Sequence, residues 1–249
     1  MGPSELTARL QEEGELLAAA GRVGDLDRAV PTCPEWSLRE LLRHVAWVHR
    51  WATAIVSGPK ASAWEPTDDE LIGSWPPDRD LVDWFVAGHA TLVATLAGAD
   101  PGLECWAFLP APSPLAMWAR RQGHETAIHR VDAEVAAGLA QRPCVPPFAA
   151  DGIDELLMMA TRPRTKLRSE EAVRLAIVCA DDPAAWTLEI GPEGAQRMDS
   201  DHAARCTVEG RADELYRVLW NRADPHGLTV AGDRELLALF LDRVHVLWR

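Results

Sequence analysis

Glu125 and His129 stand four residues apart in the run Arg120-Arg-Gln-Gly-His-Glu-Thr-Ala-Ile-His-Arg-Val-Asp132. On a helix that spacing stacks a carboxylate and an imidazole on one face. Two such ligands joined by one more make an open site for a divalent metal, with a fourth position left to water or substrate. His44, in Leu41-Leu-Arg-His-Val-Ala-Trp-Val-His-Arg-Trp51, offers the third ligand from a separate helical segment. The pattern is not the zincin one, in which two histidines lie at i and i+4. His124 and His129 are five apart, about 140° around a helix, so Glu125 reads as a ligand and not as a base. Asp132 follows one turn on and can orient the His129 imidazole.

The competing reading is structural. Trp118, Gln122, Glu125, His129 and Asp132 form a polar stripe beside an apolar face of Met117, Ile128, Val131 and Val135. Such a stripe is often solvated surface, with a Glu–His pair worth a few tenths of a kcal/mol. His44 could equally be a buried histidine bonded to a carbonyl. His49 reads as surface or packing, and His89 as a spare ligand.

The elements that must position these residues are legible. Ser4 can cap a helix to about Ala20, stopped by Gly21. Residues 25–36 form a turn-rich segment with two prolines. Ser37-Leu-Arg-Glu40 is a capping box opening a helix to about Ser57, with Leu41, Val45, Val48 and Ala52 as its apolar stripe. A loop over 58–77 contains a short turn of helix. A third helix spans about Asp80 to Leu96, and Ser113-Pro114 starts a fourth that ends near Ala137 before Gly138. Four long helices read as a bundle. Gln141-Arg-Pro-Cys-Val-Pro-Pro147 is the linker. After it come a helix over Asp151–Ala160, strands at Val173–Cys179, Ala185–Ile190, Arg205–Val208 and Leu228–Val230, and helices at Ala212–Asn221 and Arg234–Val244, an α+β pattern. The expected division is 1–140 and 150–249.

Apolar residues make up 47% of the 249-residue chain, enough for a substantial core. A net charge of −13 argues against a nucleic-acid surface. No apolar run reaches the roughly 18 to 20 residues of a membrane helix, and the polar N-terminus does not read as a secretory signal. Cys33, Cys105, Cys144, Cys179 and Cys206 are scattered with no C-x-x-C pair, as expected of reduced thiols in a cytoplasmic protein. Eleven tryptophans stand against one tyrosine and four phenylalanines; Trp36, Trp47 and Trp51 are candidates to line a pocket, or ordinary core rings.

Two segments resemble the mycothiol-dependent maleylpyruvate isomerase family: Val30-Pro-Thr-Cys-Pro-Glu-Trp-Ser-Leu-Arg-Glu-Leu-Leu-Arg-His-Val45 and Arg121-Gln-Gly-His-Glu-Thr-Ala-Ile-His-Arg-Val-Asp132. Ala150-Asp-Gly-Ile-Asp-Glu-Leu156 and Val230-Ala-Gly-Asp233 are similar too. The resemblance implies an N-terminal DinB-like four-helix bundle followed by a small α+β domain similar to the sterol carrier protein type 2 fold. It implies a divalent metal, typically zinc, held by His44, Glu125 and His129, with mycothiol as thiol cosubstrate. It also brings Arg222, in Leu219-Trp-Asn-Arg222, as an anion-holding residue. An acidic substrate such as a dicarboxylate would want arginine donors nearby, and Arg121, Arg130 and Arg222 are the available ones. A thiol on such a metal loses its proton and becomes a nucleophile, for isomerisation or S-transfer on a small electrophile. The alternatives are a thiol-independent metalloenzyme that activates water and a non-catalytic metal-binding module. The expected partners are a small substrate and a thiol, with no nucleic acid and no membrane, in a monomer or homodimer.

Overall fold

A computed structural model describes residues 1–58, 60–163, 165–198 and 203–246. The chain divides into two compact units, Met1–Arg142 and Pro143–Arg249.

The first unit is a bundle of four long helices, α1 (Pro3–Val23), α2 (Leu38–Ser57), α4 (Asp78–Gly98) and α5 (Pro114–Ala136), with a short α3 (Asp68–Ile72) in the loop after α2. α1 and α2 each pack against both α4 and α5. Leu17, Leu41, Leu42, Val45, Leu81, Phe85, Ala133 and Ala136 form the shared core. The helix α1 starts two residues earlier than a Ser4 cap implies, with Gly2 as its cap, because the Glu5 carboxylate accepts from the Gly2 amide at 2.9 Å. It also runs through Gly21, which is buried in the helix, and ends at Gly24. Close approach selects glycine at position 21, where an added Cβ would lie 3.2 Å from the Leu42 methyls.

Residues 25–36 read in the sequence as a turn-rich segment with two prolines. They contain a hairpin, β1 (Ala29–Val30) and β2 (Cys33–Ser37), interrupted by a register shift. Two prolines and a two-residue strand leave no alternation to read. The hairpin brings the Thr32–Trp36 segment onto the bundle. The Glu40 carboxylate then accepts from the Ser37 amide at 3.0 Å and starts α2. Ser113 Oγ accepts from the Ala116 amide at 3.1 Å and starts α5. Gly138, at φ +70°, follows the end of α5.

One helix among the described residues, α4, is long and apolar enough by length and composition to cross a membrane, with a mean hydropathy of 1.3 over its best window. Interspersed Ala, Gly and Thr hide this from a reading that looks for unbroken apolar runs. Leu81, Phe85, Leu92 and Leu96 of α4 are buried inside the bundle.

The second unit is a five-stranded sheet with helices. α6 (Pro146–Ala160) precedes β3 (Val173–Cys179), β4 (Ala185–Gly191), β5 (Gly194–Met198), β6 (Cys206–Gly210), α7 (Ala212–Leu219), β7 (Thr229–Gly232) and α8 (Arg234–Arg243). The sheet order is β5-β4-β3-β6-β7, with β3 and β6 parallel and the other pairs antiparallel. α6 begins five residues before the expected Asp151, because Pro146 and Pro147 occupy its first turn, where no amide donor is needed. β5 escaped the sequence reading: it is an edge strand with no buried residue to mark a face. The architecture is α plus α+β.

Candidate metal centre

α5 has a burial pattern unlike an amphipathic surface helix. Arg121, Gln122, His124, Glu125, Thr126, His129, Arg130, Asp132 and Glu134 are all buried. Buried polar groups cost free energy unless they are paired, so each stripe of this helix needs partners. On one side Arg130 supplies them: Nε donates to Glu13 at 2.7 Å, and Nη1 donates to Glu134 at 2.8 Å and to the Arg142 carbonyl. This ties α1 to α5 with a proton in every contact.

The other side is different. His44 from α2 and Glu125 and His129 from α5 converge. His44 Nε2 lies 3.0 Å from Glu125 Oε1, and His129 Nε2 lies 3.3 Å from the same oxygen. The two imidazoles meet edge-on with centroids 5.1 Å apart. One ligand atom from each residue lies within 4.8 Å of the others. Donors about 2.0–2.2 Å from a tetrahedral zinc stand about 3.3 Å apart, so the spacing fits such an ion.

The orientation of His129 makes the fit chemical as well as geometric. Its Nδ1 is 2.9 Å from Asp132 Oδ2. A carboxylate only accepts, so Nδ1 carries the proton, and in neutral His129 the Nε2 lone pair is directed at a second carboxylate. That contact wants a cation between its two atoms. Without an ion, a proton serves. Burial works against charge on His129, but the hydrogen bonds to Asp132 and Glu125 outweigh it and raise its pKa above the ordinary histidine value. Burial alone would raise the Glu125 pKa, yet His129, His44 and the Arg121 guanidinium hold it well below the carboxylate range. Burial pushes His44 down, against the pull of Glu125. The site is therefore a carboxylate with two imidazoles, poised to take a cation.

The surroundings fix this geometry. Arg121 Nη2 donates to Glu125 Oε2 at 2.8 Å and holds the carboxylate plane. Thr32 Oγ1 donates to Asp132 Oδ1, and the Cys33 thiol points at Oδ2 from 3.7 Å. The β1–β2 hairpin thus steers His129 through Asp132. Cys33, His129 and Asp132 form a second group of close donors, sharing His129 through its other nitrogen. The Trp36 ring lies 4.7 Å from the His44 ring and 5.8 Å from that of His129.

Several expectations need correction. The stripe of Glu125, His129 and Asp132 is buried, not solvated. Arg121 and Arg130, candidate donors for an acidic substrate, are both buried and committed to carboxylates of the chain itself. His89 is no spare ligand for this site. It lies against His49 and Phe85 on the other side of the bundle, and its Nε2 reaches the Gln11 carbonyl. His49 is fully buried and meets Thr126 Oγ1 at 2.9 Å. Arg222 is not among these corrections: it belongs to the second unit, where Nη1 donates to the Trp220 carbonyl at 2.9 Å, a contact that leaves its expected role open to proposal. Sequence reasoning did not find Thr32 or the Arg121 clamp. The i, i+4 spacing of Arg121 and Glu125 was a readable signal for the clamp; Thr32 had none, since it arrives through the hairpin.

Residues 5–134 match the mycothiol maleylpyruvate isomerase N-terminal domain family, and residues 147–239 match the MDMPI C-terminal domain family. No curated protein matches. Among solved structures, a crystal structure of a point mutant of the mycothiol-dependent maleylpyruvate isomerase superposes with a TM-score of 0.63 at 14% identity, covering 93% of each chain. A second crystal structure of the mycothiol-dependent maleylpyruvate isomerase gives a TM-score of 0.57 at 16% identity, again over 93% of each chain. At that identity the superpositions speak for the fold alone, and the domain match over most of the bundle speaks for descent: the chain belongs to the mycothiol maleylpyruvate isomerase family of enzymes.

Proposed function

We propose that this chain is a zinc-dependent enzyme that activates a low-molecular-weight thiol, mycothiol, to isomerise or S-modify a small electrophile. The observation that carries the reading is the bare Nε2 of His129 facing the Glu125 carboxylate at 3.3 Å, with His44 alongside. When bound, zinc would take a thiol in its open position as the thiolate.

The chain's own residues do the rest. His44, Glu125 and His129 hold the ion. Asp132 keeps the His129 proton on Nδ1, and Arg121 prevents Glu125 from rotating away. Trp36 covers one side of the imidazoles and limits water there. The electron bookkeeping of the isomerisation is closed. The thiolate sulfur bonds to one carbon of an activated cis double bond, and the π pair moves onto the conjugated carbonyl. The former double bond turns, then the pair returns and expels the thiolate. Nothing is oxidised or reduced. In S-transfer the same sulfur displaces a leaving group. Arg222 is proposed to hold an anionic group of thiol or substrate; the Leu219-Trp-Asn-Arg222 pattern supports this.

Elemental analysis of chelator-free protein should give about one zinc per chain, lost in His44→Ala, as an open three-ligand site requires. Activity should need added thiol and vanish in Glu125→Ala with the fold intact. Full turnover without thiol would sink the reading, as would metal-free protein of full activity.

A further inference from the structure

α2 and α5 run antiparallel beside the site, because His44 meets Glu125 while Trp51 meets Trp118 with ring centroids 5.1 Å apart. His44 to Trp51 and Glu125 to Trp118 are both seven residues, two helical turns, so each pair lies on one stripe of its helix and about 10 Å separates the two levels. One turn from the ligands, between those levels, stand Trp47 on α2 and Gln122 on α5.

These two residues break the rule that buried polar groups are paired. Gln122 is 1% exposed, and neither its Oε1 nor its Nε2 has a partner. The Trp47 Nε1 is buried and also has none. The contrast with their neighbours is informative: Trp51 Nε1 donates to the Trp64 carbonyl and Trp118 Nε1 to the Trp106 carbonyl. An unpaired donor and an unpaired amide therefore stand at one level of the two helices, each three residues from a ligand. Beyond them Trp51, Trp106, Phe108 and Trp118 pack ring against ring. Of the four, only Trp118 is fully buried. No arginine of α5 beside the ligands is spare for an anion, since Arg121 is committed to Glu125.

We infer that the strip between the metal ligands and the tryptophan cluster is a binding subsite for a neutral amide-like group followed by an aromatic or extended apolar body. The carbonyl of that group accepts from Trp47 Nε1–H and the Gln122 amide about 5 Å from the ligand cluster, and the apolar body ends on Trp51 about 10 Å from it. This deepens the thiol-enzyme reading and rests on it for the placement of the reactive end: the molecule whose reactive end lies at the metal ligands carries a neutral amide and a ring in this strip, where a carboxylate would find no spare arginine of α5.

The test uses cobalt-loaded full-length protein titrated with five thiols and followed by the sulfur-to-cobalt absorption band. N-benzyl-3-mercaptopropanamide should bind about tenfold or more tighter than N-methyl-3-mercaptopropanamide, as expected for partial burial of a ring. It should also exceed mercaptosuccinate and 1-thio-β-glucose. Gln122→Leu should abolish the advantage of the amide over 4-phenylbutane-1-thiol while the protein melts no lower than wild type. Equal binding of all five thiols, or a preference for mercaptosuccinate or the thiosugar, would overturn the proposal. A parallel titration of metal-free protein with N-benzylpropanamide, read by calorimetry, separates the two readings. If it saturates while no thiol binds, the thiol-enzyme reading falls and the subsite stands; if it fails to bind, the subsite falls whatever the thiols do.

Discussion

Asp132→Asn is the substitution that most directly tests the argument for the metal centre. Asp132 is fully buried, with one oxygen on His129 Nδ1 at 2.9 Å and the other on the Thr32 hydroxyl. Asparagine has the same shape. Its Oδ1 can still accept from His129, and its amide can donate to Thr32 once that hydroxyl turns. The geometry is kept and the charge is lost. A neutral partner leaves His129 less basic, so Nε2 becomes a poorer donor to a cation. Partners of this kind are worth about 10–100-fold in metal affinity, about 1.4–2.7 kcal/mol. The assay is zinc competition against a chromophoric chelator, with circular dichroism to confirm the fold. It should be run at two pH values, because proton and ion compete for Nε2 and the wild-type His129 pKa is raised. The loss should be larger at the higher pH, where the proton competes least. Affinity within about twofold of wild type at both pH values would refute the claim that Asp132 acts through His129.

Arg130→Met should destabilise the protein by about 3–5 kcal/mol in denaturant titration, because it strands the buried Glu13 and Glu134 carboxylates; changing both glutamates to leucine as well should recover most of the loss. Stability should fall as pH drops below about 6.5, by up to about 1.4 kcal/mol per pH unit for a histidine that stays neutral when folded. His49 is the main cause: burial holds its pKa well below the ordinary value, so the unfolded chain takes up a proton that the native one refuses. His49→Gln should flatten that limb of the melting-temperature profile. Gly232→Ala should cost about 1–3 kcal/mol, because Gly232 has φ +87° and a Cβ there would lie 2.2 Å from the Arg205 carbonyl oxygen.

What the sequence made legible follows from what is local. Ser37-Leu-Arg-Glu40 and Ser113-Pro114 announce α2 and α5 because a cap is settled within four residues. The alternation in Val173–Cys179 gives β3, whose residues alternate between buried and half-buried. The i, i+4 pair of Glu125 and His129 is a property of one helix. That His44 meets it is a property of two helices 81 residues apart in the chain, and the residues supplied that link only through resemblance. Thr32 is still less accessible, since it reaches Asp132 across 100 residues by way of a two-residue strand. The burial of nearly all of α5 could not be read from the sequence for a related reason. Periodicity tells which residues share a face, but a helix covered on all sides has no solvent face to set the pattern.

That all-round burial offers a way to tell a structural charge cluster from a binding site. Both polar flanks of α5 place carboxylates among nitrogen atoms. Around Arg130 each contact contains a proton: guanidinium N–H groups point at Glu13, Glu134 and a carbonyl, and the Arg142 amide donates to Glu134. The cluster is complete as it stands, and an added cation would have to displace a hydrogen bond. Around Glu125 the count fails. Arg121 satisfies one oxygen and the His44 Nε2–H can serve the other, but Asp132 has already claimed the only proton of neutral His129, so the His129 contact still sets a lone pair against a carboxylate. Protonation closes that gap at the expense of keeping a charged imidazole inside the bundle; a divalent ion closes it while gathering His44 into the same shell. Side chains held in an arrangement that lacks one positive centre distinguish this flank from the ion-paired flank around Arg130 on the same helix, and Arg121, Asp132 and Thr32 hold them there.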